Sequence, residues 1–184
     1  MRVIAGTARS LPLKAPNGDN TRPTTDRIKE TLFNMIQNEV PGCVFMDLFS
    51  GSGAIGIEAL SRGAKKAYFI ENNKDSLQCI QENIVFTKFT EHAIVIKQDV
   101  ISALAGIQEK HVDLVFMDPP YKEGYDKKVL QFLAECSFID SDTLIIVEEA
   151  KDTDFSYVSE YGFHIRKEKI YKTNKHVFIE FNGE

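Results

Sequence analysis

Twelve residues, Phe45-Met46-Asp47-Leu48-Phe49-Ser50-Gly51-Ser52-Gly53-Ala54-Ile55-Gly56, combine an acid, two hydroxyls and three glycines where an apolar, β-rich run gives way to a helical pattern. Gly51, Gly53 and Gly56 fit the G-x-G-x-x-G spacing. Such a loop turns tightly, brings backbone close to a ligand and offers the free N–H groups of a helix N-terminus. Glu71, twenty residues after Gly51, ends the next β-rich run with Asn72 beside it, where an acid can accept from both hydroxyls of a ribose. Asp99 follows a third such run, placed to accept from an adenine amino group while Val100 packs against the ring. The same position suits a helix N-cap, and the two roles can coexist. The loop therefore reads as the site of an adenosine-type ligand. NAD and S-adenosylmethionine both fit that geometry, but Asp47, four residues before Gly51, would repel a pyrophosphate and suit a sulfonium and an ammonium group.

A second stretch, Asp118-Pro119-Pro120-Tyr121, ends the fourth β-rich run. Two prolines cannot continue a ladder, so these residues belong at the carboxyl edge of the sheet, on the side of the glycine loop. An exocyclic amine on a nucleobase is a poor nucleophile because its lone pair is delocalised into the ring. If the Asp118 carboxylate and the Pro119 carbonyl both accept from that NH2, the lone pair is directed at a methyl donor. Tyr121 can stack on a base turned out of its helix. As a purely structural feature, Asp-Pro-Pro is a rigid turn.

The elements that must hold these residues follow from the apolar pattern. Runs at 43–48, 67–71, 93–97, 112–117 and 143–147 alternate with helical patterns around 54–62, 74–86, 100–108 and 125–136. That alternation predicts an α/β fold with a mainly parallel sheet covered on both faces. Two further strand-like runs, 163–172 and 176–182, are joined by Thr173-Asn174-Lys175 and predict an antiparallel hairpin that brings the sheet to seven strands. Upstream, 2–15 reads as a short hairpin, 16–23 as a loop, and Thr24 or Thr25 as the cap of a helix carrying Ile28, Leu32, Phe33 and Ile36. The expected division is a hairpin extension over 1–20 and one main domain over 21–184.

Composition narrows the classes. At 43% hydrophobic and 27% charged the chain has the material for a packed core. Its apolar runs are far shorter than a membrane span of about 18 residues, and the N-terminus lacks a secretory pattern. A soluble, cytoplasmic protein is expected. Three cysteines without C-x-x-C spacing and four histidines without H-E-x-x-H argue against disulfides and a structural metal. The net charge of −5 divides unevenly: residues 1–30 hold six basic and three acidic groups, and the rest carries −8. A basic front end on an acidic body is compatible with a local phosphate contact. With no heptad run or spare amphipathic helix, a monomer is the expectation.

The ordered motifs Asp47 to Gly53, Glu71, Asp99 and Asp118 to Tyr121 resemble those of class I, Rossmann-like S-adenosylmethionine-dependent methyltransferases that act on exocyclic amines. The stretch Arg22-Pro-Thr-Thr-Asp-Arg27-Ile-Lys-Glu30-Thr-Leu-Phe-Asn34 resembles, more specifically, the bacterial 16S ribosomal RNA guanine-N2 methyltransferase family, which modifies guanine 966. The resemblance covers nearly the whole chain. It implies S-adenosylmethionine as cofactor and 16S rRNA within the 30S subunit, or an assembly intermediate, as partner. It also implies that Thr24 and Thr25 approach the methionine end of the cofactor, and that Arg22, Arg27 and Arg9 face RNA. The family's hairpin is more densely basic than Ala8-Arg9-Ser10-Leu11. Other acceptors compatible with the same residues are an adenine N6 or a protein amide. An NAD-dependent oxidoreductase is disfavoured by Asp47, and a non-catalytic RNA-binding module by the net charge.

Overall fold

The computed structural model describes residues 1–16, 25–120 and 124–182. Among them the elements run α1 (Asp26–Met35), β1 (Val44–Leu48), α2 (Ala54–Ser61), β2 (Lys66–Ile70), α3 (Lys74–Thr87), β3 (Ala93–Ile96), α4 (Val100–Gly106), β4 (Leu114–Met117), α5 (Tyr125–Ala134), β5 (Leu144–Ala150), a 3-10 helix (Ser156–Tyr161), β6 (Phe163–Ile170) and β7 (Asn174–Phe181). The strands form one sheet in the order β3-β2-β1-β4-β5-β7-β6. β1 to β5 are parallel, while β7 runs antiparallel to both β5 and β6. The α/β class and the antiparallel C-terminal hairpin are as the apolar pattern predicts.

Alternate residues of each central strand feed two separate cores. Phe45, Phe69, Phe116, Ile146 and Phe178 pack with α1, α2 and α3. Met46, Ile70, Met117, Val147 and Val177 pack with α4 and α5 on the opposite face. Burial on both faces explains why these strands read as continuous apolar runs. β5 extends three residues beyond its predicted end, through Glu148, Glu149 and Ala150, because the antiparallel β7 gives them ladder partners in His176, Lys175 and Asn174. β7 likewise starts at Asn174, two residues earlier than its apolar pattern suggests. α4 ends at Gly106 and α5 at Ala134, each two residues short of expectation.

The N-terminal segment departs from the predicted hairpin. One antiparallel bridge joins Arg2 to Pro12, and the chain doubles back through Val3 N to Leu11 O and Ser10 N to Val3 O. With Leu13 N donating to Met1 O, pairing is limited to that one bridge, because the donors nearer the turn have other acceptors. Ile4 N and Ala5 N donate to the Glu58 carboxylate at 2.7 and 3.0 Å, and Ala8 N donates to Ser61 Oγ at 3.0 Å. Glu58 is fully buried and also meets the equally buried Lys29 of α1 at 3.4 Å and Arg62 at 2.8 Å. Lys29 in turn donates to Arg2 O at 2.6 Å. The segment is thus stapled to α1 and α2 through side chains.

Candidate active site

The parallel strands all end on one side, where the glycine turn follows β1, Glu71 follows β2, Asp99 follows β3 and Asp118 follows β4. β1 leads into the glycine turn: Phe49 has φ 65°, Gly51 54° and Gly53 76°, so the backbone rises left-handed three times in five residues. Ser50 Oγ pins the turn by donating to Asp47 O at 2.6 Å, Ser50 N donates to Ile70 O at 3.0 Å, and Gly53 N closes it on Ser50 O at 2.7 Å. The two glycines at the turn and the one after it answer different needs. A Cβ on Gly51 would meet nothing within 4 Å, whereas one on Gly56 would lie 2.4 Å from Phe69 Cε1. Gly56 lets α2 press onto β2, and Gly51 faces open space. Ser52 follows, its carbonyl accepting from the buried Asn83 of α3 at 2.9 Å.

Three acids frame the turn. The Glu71 carboxylate accepts from Gly51 N, Asn72 N and Asn73 N, each at 2.9 Å. It ties the end of β2 to the loop and still has acceptor capacity, since a carboxylate offers about four lone-pair sites. Asp47 is 1% exposed and accepts from Gly56 N at 3.0 Å, serving an α2 whose N-cap, Gly53, has no side chain. Burial, helped by the charge of Glu71, pushes the Asp47 carboxyl up to about 7 against the pull of the Gly56 amide. Asp99 is exposed and accepts from Ser102 N at 3.1 Å as the cap of α4. The Ser102 side chain first, and then its amide, hold the Asp99 carboxyl below the usual range, and Val100 behind it is buried. The cap is one of its two predicted roles.

Asp118 and Pro119 stand where β4 leaves the sheet, with Asp118 half-buried, Pro119 buried and Pro120 exposed. Tyr121, Thr24 and Arg22 lie outside the described residues. Phe49 packs edge-to-face on Tyr125, with ring centroids 5.5 Å apart, joining the glycine turn to α5. Burial first, then the charges of Glu148, Glu149 and Asp47, push the Asp118 carboxyl up to about 8.

The acids around Asp118 include two that sequence reasoning missed. Met117 pairs with Val147 across β4 and β5, so Asp118 and Glu148 are the next residues of a shared row. Glu148 faces His176 across β5 and β7, accepting from its Nε2 at 3.1 Å and from Asn174 Nδ2 at 2.5 Å. His176 Nδ1 lies 3.2 Å from the Tyr171 hydroxyl. Glu149, raised chiefly by burial, accepts from Ala150 N at 2.8 Å and Thr153 Oγ1 at 3.3 Å. Two adjacent acids closing an apolar run were the available signal.

Thr25 caps α1 by accepting from Ile28 N at 3.3 Å. Arg9 and Arg27, both exposed, meet around one hollow of about 370 Å³ with Arg2, Asp26 and Glu30. No described helix is long and apolar enough to cross a membrane.

A cofactor held at the turn must tolerate this charge. Asp47, Glu71, Asp118 and the pair Glu148 and Glu149 converge on one edge, and their mutual repulsion contributes to the raised Asp47 and Asp118 carboxyls. A sulfonium with an ammonium group relieves that repulsion, whereas a pyrophosphate adds to it. With the open space at Gly51 and the free capacity of Glu71, the residues fit S-adenosylmethionine.

Known proteins agree with this chemistry. The family described as conserved hypothetical protein 95 matches residues 1–180. A Haemophilus influenzae protein named ribosomal RNA small subunit methyltransferase D is 38% identical over 154 residues, 83% of this chain and 80% of that one. Its namesake in Escherichia coli K12 is 33% identical over 170 residues, 92% and 84% respectively. The solved structure of yhhF from Escherichia coli overlays with a TM-score of 0.84 at 29% identity, covering 100% of this chain and 99% of that one.

Proposed function

We propose, from the premise that this chain belongs to the family described as conserved hypothetical protein 95, that it methylates the exocyclic N2 of a guanine in 16S ribosomal RNA. Its relatives named ribosomal RNA small subunit methyltransferase D support small-subunit RNA as the substrate class. The observation that carries the reaction is Asp118 followed by Pro119 at the edge of β4, within reach of the charges on Asp47 and Glu148. The cofactor is S-adenosylmethionine, which supplies a methyl group on an electron-poor sulfur.

Glu71 and the Gly51 backbone hold the ribose end, Asp99 and Val100 the adenine, and Thr25 at the α1 N-terminus the methionine carboxylate. Asp47 offers its buried charge to the cationic end. Asp118 and the Pro119 carbonyl accept from the two N–H bonds of the guanine amine and fix its lone pair in line for displacement. Pro119 and Pro120 keep those acceptors rigid. A carboxyl held at about 8 is drawn down once a cation neighbours it, so Asp118 becomes an acceptor as the site is loaded. It also stabilises positive charge growing on the nitrogen. Arg9 and Arg27, around their shared hollow, serve as phosphate contacts beside the site, and Tyr121 is the stacking partner for the base. Residues 1–20 form an extension to the domain of 21–184, and the protein works as a monomer in the cytoplasm.

The test is transfer of a tritiated methyl group from S-adenosylmethionine to 30S subunits purified from cells lacking this protein, followed by nucleoside analysis. N2-methylguanosine as the labelled product is expected. Label in N6-methyladenosine, in protein, or in neither overturns the guanine reading.

A further inference from the structure

A second groove, of about 440 Å³, opens between α1 and the turn that joins β6 to β7. The chain holds 27 acidic against 22 basic side chains, yet among the described residues this lining includes Arg27, Lys169 and Lys172 and no carboxylate. The hydroxyls of Thr25 and Thr31 and the amide of Asn174 complete its polar wall. Lys169 faces His176 and Lys167 faces Phe178 across β6 and β7. Phe178 belongs to the core beneath α1, so these two lysines stand on the α1 side of an exposed edge strand and prolong the basic stripe.

The groove also has a fixed aromatic. The Tyr171 hydroxyl is held at 3.2 Å by His176, and its ring meets the imidazole edge-on, with centroids 5.1 Å apart. A ring ordered in advance loses little entropy when something stacks on it. The floor leads directly to the reaction edge: Asn174 lines the groove, donates to Glu148 at 2.5 Å, and Glu148 is the neighbour of Asp118 in the row set by Met117 and Val147.

We propose that this groove binds the sugar-phosphate backbone of a single-stranded RNA segment flanking the target base, with Lys169 and Lys172 on phosphates and Tyr171 as a stacking surface. Cations that follow a strand beside an aromatic are the elements of single-strand recognition, and phosphate contacts set register without reading sequence. The inference rests on the methyltransferase reading for the identity of the neighbouring site, and it adds where the substrate lies.

The experiment pairs binding with turnover. The full chain and its Lys169→Glu/Lys172→Glu variant are titrated against fluorescein-labelled oligouridylate at several salt concentrations, and both are assayed for methyl transfer to 30S subunits. Both lysines are exposed, so thermal melting should coincide for the two proteins. The variant is expected to bind oligouridylate about tenfold or more weakly, with its salt slope reduced by about 1.4 for two lost single-strand contacts. The KM for 30S subunits should rise while kcat and the KM for S-adenosylmethionine move less than twofold. Unchanged affinity and slope overturn the proposal. So does a loss that falls on the KM for S-adenosylmethionine, which would make the groove part of the cofactor site, or tighter binding of polyglutamate than of oligouridylate, which would make the partner a protein. Binding is read without a methyl donor, so failure of guanine methylation leaves a positive result standing. Methylation with unaltered RNA binding in the variant removes the groove alone.

Discussion

Replacing Asp118 by Asn should make the protein inactive and more stable at once, and the gain in stability should depend on pH. Burial, then the charges of Glu148, Glu149 and Asp47, raise this carboxyl from 3.8 to about 8. Between those values the folded state holds a proton that the unfolded chain has lost, at a cost of about 1.4 kcal/mol for each pH unit. The stability tied to the protonated form is complete below the unfolded value, declines as pH rises, and is gone once pH passes about 8. Unrelieved, the full span would cost about 6 kcal/mol. Water entering the half-buried crevice screens the charge, so about 2–3 kcal/mol is expected. Asparagine keeps the shape and carries no charge, so the difference between the two proteins should be small near pH ~5 and full near pH ~8.5. In a chain of this size each kcal/mol moves Tm by about 2–4 °C. Scanning calorimetry should thus find the Asp118→Asn variant about 5–10 °C more stable at the higher pH, with methyl transfer down by about 100-fold or more. A variant no more stable there, or one that gains as much near pH ~5, would refute the account of Asp118 as a carboxyl strained by burial and neighbouring acids.

Three other outcomes are expected. Glu58→Ala strands the buried Lys29 and the Ile4 and Ala5 amides; urea unfolding should show a loss of about 3–5 kcal/mol, a loss below ~1 kcal/mol would contradict the staple, and Glu58→Gln combined with Lys29→Met should recover part of it. Gly56→Ala drives a Cβ to 2.4 Å from Phe69 and should cost about 1–3 kcal/mol in the same assay, whereas Gly51→Ala, open to solvent at φ 54°, should cost about 1–2 kcal/mol and chiefly weaken S-adenosylmethionine binding by calorimetry. Asp47, raised to about 7, binds a cation only when ionised, so affinity for S-adenosylmethionine should strengthen as pH rises through that value; a flat profile would mean that Asp47 serves the Gly56 amide alone.

What could be read from the sequence was local. The glycine turn, the Asp-Pro-Pro exit from β4 and the alternation of strands and helices announce themselves within a dozen residues, and the structure assembles them along one edge. The Glu148 and His176 pair was not legible in that way. The two lie 28 residues apart and meet only because β7 inserts beside β5 rather than following β6 at the edge. Alternation over residues 2–15 suggested a hairpin, since nothing nearby reveals that the acceptors for its amides are Glu58 and Ser61. The spacing of Asp47 and Glu71 around the glycines predicts that both face a ligand. Each is first of all an acceptor for loop amides, a requirement set by the left-handed turn that leaves those donors unpaired.

The sheet order also sets a timetable. β7 lies between β5 and β6, so the strand formed by residues 174–181 is not an addition to a finished sheet but its missing slat. During synthesis, the glycine turn and Asp118 leave the ribosome well before Asn174 and His176, which complete the bonding of Glu148. Until then Glu148, at the end of β5, stands beside Asp118 without its partners. A nascent chain therefore carries every motif of the site but not the assembled edge, and competence should arrive in one step, when the last strand slides into place.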